Sequence, residues 1–201
     1  MEERLAGKNI LIVIPKDYYL EAELDPILES MNAEGAKVLI ASTKLKEAVG
    51  MKGGKATPDV LIVDAIEGIT GDSYVSAAKG VRQIKGVFHG TIIIGGNGAR
   101  SYLWKDELLR LLLNDRYRSK MVIAGIGSAV PCLGKAGLLQ SLEVTTEPGN
   151  KKAVAALEDS KAVLVDEAMT ATDRIFTVQD ASGIPAFLDP FIEAVTKTPK
   201  V

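Results

Sequence analysis

The chain has 201 residues, enough for one domain with a substantial core. Its 47% hydrophobic and 25% charged content is the mix of an ordinary soluble globular protein. A formal net charge of -2 gives no electrostatic reason to expect nucleic acid or an anionic membrane as a partner.

Short β-branched runs alternate with helical stretches. "NILIVI" (9–14) is apolar throughout, as expected of a strand buried on both faces of a parallel sheet. In "YLEAELDPILESMNAEGA", Leu20, Leu24, Ile27, Leu28 and Met31 share one helical face, and Gly35 closes the helix. "KVLIAS" (37–42), "DVLIVDA" (59–65), "GTIIIGG" (90–96) and "KMVIAGI" (120–126) read as further strands. "KDELLRLLLND" (105–115) and "AVPCLGKAGLL" (129–139) read as helices. The basic residues are scattered, and their densest cluster, "DRYRSK" (115–120), reads as a solvated loop. In the last third, "KAVLVDEA" and "RIFTVQDA" read as two strands of a hairpin joined by "MTATD", before a closing helix in "SGIPAFLDPFIEAVTK". This order predicts a mostly parallel, doubly wound α/β sheet with a small antiparallel edge.

One cysteine excludes an internal disulfide and cannot by itself form a thiolate metal site. The opening "MEERLAGKNILIVI" does not read as a secretory signal, and no apolar run approaches the length of a membrane span. "GMKGGKAT" (50–57) lacks the spacing and hydroxyl of a phosphate-binding loop and reads as a turn. "IIIGGNGAR" is not the dinucleotide fingerprint, but its glycines leave backbone N–H groups at a strand end, where they could stabilise an oxyanion or carboxylate. His89, the only histidine, directly precedes a strand and reads as a loop residue rather than a general base. Cys132 sits among apolar residues and reads as an inert core thiol. Glu21 and Glu23 lie at the start of the first helix, where carboxylates suit the helix dipole. The pair gains weight only with "VIAGIGSA", a buried strand turning on glycines into a helix, which is the place where an α/β enzyme holds a nucleophile.

Five segments carry a family likeness over most of the chain. They are "NILIVI" with "YLEAELDPILESMNAEGAKVLIAS", "GTIIIGG", "VIAGIGSAVPCLGKAGLLQSLEVTTEPG" and "RIFTVQDASGIPAFLDPFIEAV". In this order they resemble the ThiJ/PfpI family, relatives of the class I glutamine amidotransferase domains. The resemblance implies a flavodoxin-like sheet with helices on both faces, and residues 1–201 as a single domain of this type. It places the family's catalytic acid on Glu23 and its elbow cysteine on Gly127, because both "VIAGI" and "KAGLL" keep register there. The residue after the nucleophile is Ser128, and a histidine that some members carry in a stretch like "VTTHP" corresponds to Glu147. The glycine-pair amides fall on Gly95, Gly96 and Asn97, with Ile94 where a proline is common.

The departures lie where the chemistry should be. Glycine offers no side chain, yet it accepts the strained elbow conformation at almost no steric cost. The expectation is therefore a non-catalytic binding or regulatory homologue, without the thiol-dependent protease, glyoxalase or deglycase activity of the family. One alternative is a hydrolase or lyase in which Glu23 and Glu147 act on a bound water. The other is Ser128 as nucleophile, although no histidine is placed to activate it. A cytoplasmic homodimer with a small-molecule ligand is expected, with no cofactor, metal, nucleic acid or membrane partner.

Overall fold

The computed structural model describes residues 3–66 and 87–199. In chain order its first half contains β1 (Asn9–Val13), α1 (Glu21–Ala33), β2 (Lys37–Ser42), β3 (Ala48–Val49), β4 (Lys55–Ala56), β5 (Val60–Leu61) and α2 (Ile62–Ile66). After these come β6 (Gly90–Ile93), α3 (Asn97–Tyr102), α4 (Glu107–Arg118), β7 (Val122–Ile126), a 3-10 turn (Gly127–Ala129) and α5 (Val130–Lys135). The last third holds β8 (Glu143–Val144), α6 (Lys151–Asp159), β9 (Val163–Leu164), β10 (Met169–Thr172), β11 (Ile175–Val178) and α7 (Ile184–Thr196).

Among the described residues, seven strands form one sheet in the order β10-β11-β7-β6-β1-β2-β5. All neighbours pair in parallel except β10 and β11. This is the doubly wound, flavodoxin-like arrangement with a small antiparallel edge that the order of elements predicts. Alternate residues of each central strand serve opposite faces. Leu11, Val13, Ile93, Ile123 and Ile175 pack with α2, α4, α5 and α6. Ile10, Ile12, Ile92, Val122, Ala124 and Phe176 pack with α1 and α7. Burial on both faces explains why these strands are apolar throughout. Parallel pairing also brings the carboxyl ends of β1, β6, β7 and β11 to one edge, and the chain reverses its direction of winding between β1 and β6.

Three local expectations are corrected. The run 59–65 is not one strand: only Val60 and Leu61 pair, with Ala41 and Ser42, and the chain then turns into α2. Its Ile62 and Ala65 pack with Leu109 and Leu112 of α4, and an apolar run of this length fits either state. The hairpin lies one segment later than expected. "MTAT" is itself a strand, paired from Met169–Val178 to Thr172–Ile175, and the turn is Asp173–Arg174. Asp173 adopts φ 54, which a short polar side chain tolerates, while the threonines favour extended structure. Val163 and Leu164 of "KAVLVDEA" instead pair in parallel with β8. The basic cluster at 115–118 is the last turn of α4, and Arg116 is buried against Asp115. The helices α3 and α6 were not foreseen.

Phe176, Phe187 and Phe191 interlock under α7, with ring centroids 4.9 Å apart for Phe187 and Phe191 and 6.0 Å for Phe176 and Phe187. Phe187 is fully buried. Phe187→Ala should therefore lower the unfolding free energy by about 3–5 kcal/mol in urea denaturation, since the cavity closes only partly. A loss under about 1 kcal/mol would show that α7 is not held by this contact.

Candidate functional site

Four strand ends build the site. The chain leaving β1 enters α1, whose first turn carries Glu23 against the sheet; Glu23 is 2% exposed. Gly95 follows β6 and donates its backbone N–H to Glu23 Oε2 at 2.7 Å. Gly127 follows β7 with φ +53, a conformation that side-chain-bearing residues rarely adopt. A β-carbon there would lie 2.7 Å from Glu23 Oε1 and 3.7 Å from the Gln179 carbonyl after β11. The expected relaxed elbow is thus present, and the carboxyl of Glu23 stands against it. Glu21, its neighbour on α1, does something else: it accepts from the Lys52 and Gly54 amides and so pins the β3–β4 turn.

The turn is held on all sides. Thr146 Oγ1 donates to the Gly127 carbonyl at 2.8 Å, and Trp104 Nε1 donates to the Ser128 carbonyl at 2.7 Å. Ser128 Oγ accepts from Gly96 N–H at 2.9 Å and donates to the Gly96 carbonyl at 3.0 Å. Gly96 itself has φ 104, and a β-carbon there would meet the Tyr18 carbonyl at 2.4 Å, so only glycine fits. The strand-end amides, expected to be open, are engaged: Gly95 with Glu23, Gly96 with Ser128, and Asn97 with Met51 Sδ at 3.3 Å. An oxyanion would have to displace one of these acceptors.

Above the elbow lies a cavity of about 360 Å³ lined by Gly96, Asn97, Arg100, Ser128, Glu147 and Asn150. Glu147 Oε2 accepts from Asn150 Nδ2 at 2.8 Å, so it faces this cavity rather than open solvent alone. Burial pushes the Glu23 carboxyl up to about 8, against the lowering pull of the Gly95 amide, and repulsion from Glu147 and Asp180 adds to the rise. Near neutral pH the Oε2 atom accepts from Gly95, so the proton belongs on Oε1, facing Gly127. Asp180 was not foreseen. Its signal was available, because it follows the strand "IFTV" at the same sheet edge; it accepts from Ser182 N at 2.8 Å.

His89 and Cys132 lie apart from this site. His89 precedes β6, at the opposite end of that strand, and its Nδ1 accepts from the Asn9 amide at 3.0 Å. Cys132 is buried in α5, and burial pushes its thiol well above the ordinary range. Among the described residues, no group of three His, Cys, Asp or Glu could hold a metal ion, and no helix is long and apolar enough to cross a membrane.

Sheet order and the strand–turn–helix elbow define a flavodoxin-like α/β protein. The profile of the DJ-1/PfpI family matches residues 8–194, and the chain belongs to that family. It is 26% identical over 191 residues to an uncharacterized protein of Methanocaldococcus jannaschii, covering 95% of this chain and 83% of that one. The crystal structure of a ThiJ/PfpI domain protein from Brachyspira murdochii superposes with a TM-score of 0.77 at 22% identity, covering 97% of this chain and 99% of that one. Drosophila melanogaster DJ-1beta gives 0.74 at 17% identity, covering 94% and 90%.

The Glu23 shift has a consequence for stability. The folded protein holds this proton to about 8, whereas the unfolded chain releases it near the ordinary value of 4.5. Stability from this group is therefore fully present below about 4.5 and declines as pH rises toward about 8, with a slope approaching 1.4 kcal/mol per pH unit. Glu23→Gln keeps the acceptor for Gly95 and removes the titration, so its stability relative to the parent should grow across that window. Parallel pH profiles for the two proteins would contradict the raised pKa.

Proposed function

We propose that this protein is a non-catalytic, ligand-binding member of the DJ-1/PfpI family that has given up thiol chemistry at the elbow. The observation that carries this reading is Gly127 at φ +53 with the Glu23 carboxyl 2.7 Å from its missing β-carbon position. A nucleophile needs a side chain there, and glycine supplies none. The cavity over the elbow remains, with Glu147, Asn150 and Asn97 offering polar groups to a small ligand. Residues 1–201 act as one domain in this reading, supported by a family match that spans 8–194. A cytoplasmic setting suits a chain whose one cysteine is a buried free thiol.

A second reading is carboxylate chemistry. It is favoured by one observation, a Glu23 carboxyl neutral at physiological pH and aimed at the elbow, with the Glu147 carboxylate raising its pKa from across the site. Such a pair could donate and accept protons on a bound water. The serine reading has less behind it: the Ser128 hydroxyl donates to the Gly96 carbonyl, and the only histidine is at the other end of β6.

The homodimer implied by the family belongs to the same proposal. Tyr18, in the loop before α1, donates its backbone N–H to the Val49 carbonyl of β3, and the exposed side chains of Tyr18, Val49 and Met51 suit burial against a second copy. Light scattering should return the mass of two chains, and Val49→Asp with Met51→Asp should return one. A parent protein that is monomeric at micromolar concentration removes this part of the proposal.

For the site itself, purified protein should show no glyoxalase, deglycase or peptidase turnover above buffer, and no fast labelling by a thiol reagent in the native state. Gly127→Cys should introduce one reactive thiol, at a cost of about 1–2 kcal/mol for a side chain in this backbone conformation and with displacement of Glu23. Turnover by the unmodified protein sinks the non-catalytic reading. Its loss in Glu23→Gln would then point to carboxylate chemistry, and its loss in Ser128→Ala to serine.

A further inference from the structure

Beside the elbow cavity opens a second one, of about 480 Å³. The two share the wall made by Arg100 and Ser101. The rest of the second cavity is built by Trp104, Lys105, Lys135, Lys152 and Ala156. Four cations therefore face one hollow, and among the described residues no carboxylate lines it. They come from four separate segments: the last turn of α3, the connection to α4, the end of α5 and the first turn of α6.

Helix dipoles account for only part of this. Arg100 and Lys135 stand in last turns, where a cation is favoured. Lys152 does not: α6 begins with Lys151 and Lys152 and has no acidic residue in its first turn, the reverse of what its dipole favours. Elsewhere cations find partners, as Lys46 does with Asp17 at 2.7 Å and Lys55 with Glu47 at 3.0 Å. Among the described residues, none of the four around this hollow takes part in an ion pair or side-chain hydrogen bond. Bringing four like charges to one concavity costs energy unless an anion completes it.

We propose that this cleft holds the phosphate of a small phosphate ester whose hydroxyl-bearing body lies in the elbow cavity against Glu147 and Asn150. The proposal rests on the ligand-binding reading of the elbow and names its ligand class. A phosphate dianion can accept from several cations arriving from different directions, whereas one carboxylate is saturated by fewer donors. A polyanion such as nucleic acid suits the arrangement less, because the cations line a hollow on a chain of net charge -2. Asn150 commits its Oδ1 to the Ala153 amide and its Nδ2 to Glu147, so the Glu147 carboxylate is the acceptor that calls for a body carrying donors, which hydroxyls supply.

Trp104 lines the cleft and is the chain's only tryptophan, so its fluorescence reports the cleft directly. Its Nε1 is already bonded to the Ser128 carbonyl at the elbow, so it reports on both neighbouring cavities. Ribose 5-phosphate, ribose and inorganic phosphate serve as probes, read by fluorescence and by calorimetry. Ribose 5-phosphate should bind saturably and ribose should not, with inorganic phosphate weaker than the ester by about tenfold or more. Lys135→Gln and Lys152→Gln should each weaken the ester by about tenfold, with melting temperatures showing that both variants fold. Absence of binding, binding unchanged in both variants, or equal affinity for inorganic phosphate overturns the proposal. These outcomes are separable from those at the elbow: turnover there would sink the non-catalytic reading and leave the anion cleft standing.

Discussion

The site depends on one hydrogen bond, from the Gly95 backbone N–H to Glu23 Oε2 at 2.7 Å. It crosses the point where the sheet reverses its winding, tying the helix after β1 to the turn after β6. A carboxylate buried this deeply would be costly as an anion with a single amide for company. The chain avoids that cost by keeping the carboxyl neutral into the physiological range, which gives the site a proton donor rather than a negative charge. That donor faces the elbow, so the electrostatic character of the pocket is set from the first helix and not from the turn itself.

The tip of the elbow carries no side chain. Gly127 takes the left-handed conformation without strain, and the carbonyls of Gly127 and Ser128 are fixed by Thr146 and Trp104. Ser128 spends both its donor and an acceptor site on Gly96, which joins the β6 and β7 turns into one unit. Thr146, Trp104 and Ser128 thus give the carbonyls of Gly127, Ser128 and Gly96 side-chain partners, while Glu23 Oε1 is left facing the tip.

Trp104 connects this unit to its surroundings. Its indole N–H donates to the Ser128 carbonyl at the elbow, and its side chain also lines the cleft bearing Arg100, Lys105, Lys135 and Lys152. The two cavities are neighbours through the wall made by Arg100 and Ser101, and an occupant of one is positioned to touch the other. The belt of helices on this face supplies both the packing of Leu112, Leu133 and Leu157 under the sheet and the cations above it.

What the sequence determined by itself was the periodic part. β-Branched apolar runs such as 9–14 and 90–93 favour strands covered on both faces, and the family likeness of "VIAGI" and "KAGLL" around Gly127 marks the elbow without reference to any contact. Where local preference was balanced, tertiary packing chose. Residues 62–66 became a helix because α4 offered Ile62 and Ala65 a surface, and the threonines of 169–172 became a strand because β11 offered a free edge. The partners of the Gly95, Gly96 and Asn97 amides, the approach of Asp180 and Glu147 to Glu23, and the gathering of four cations from positions 100 to 152 were decided only by the tertiary structure. These are meetings between residues far apart in the chain, and no local pattern encodes a distance that the closing of the sheet creates.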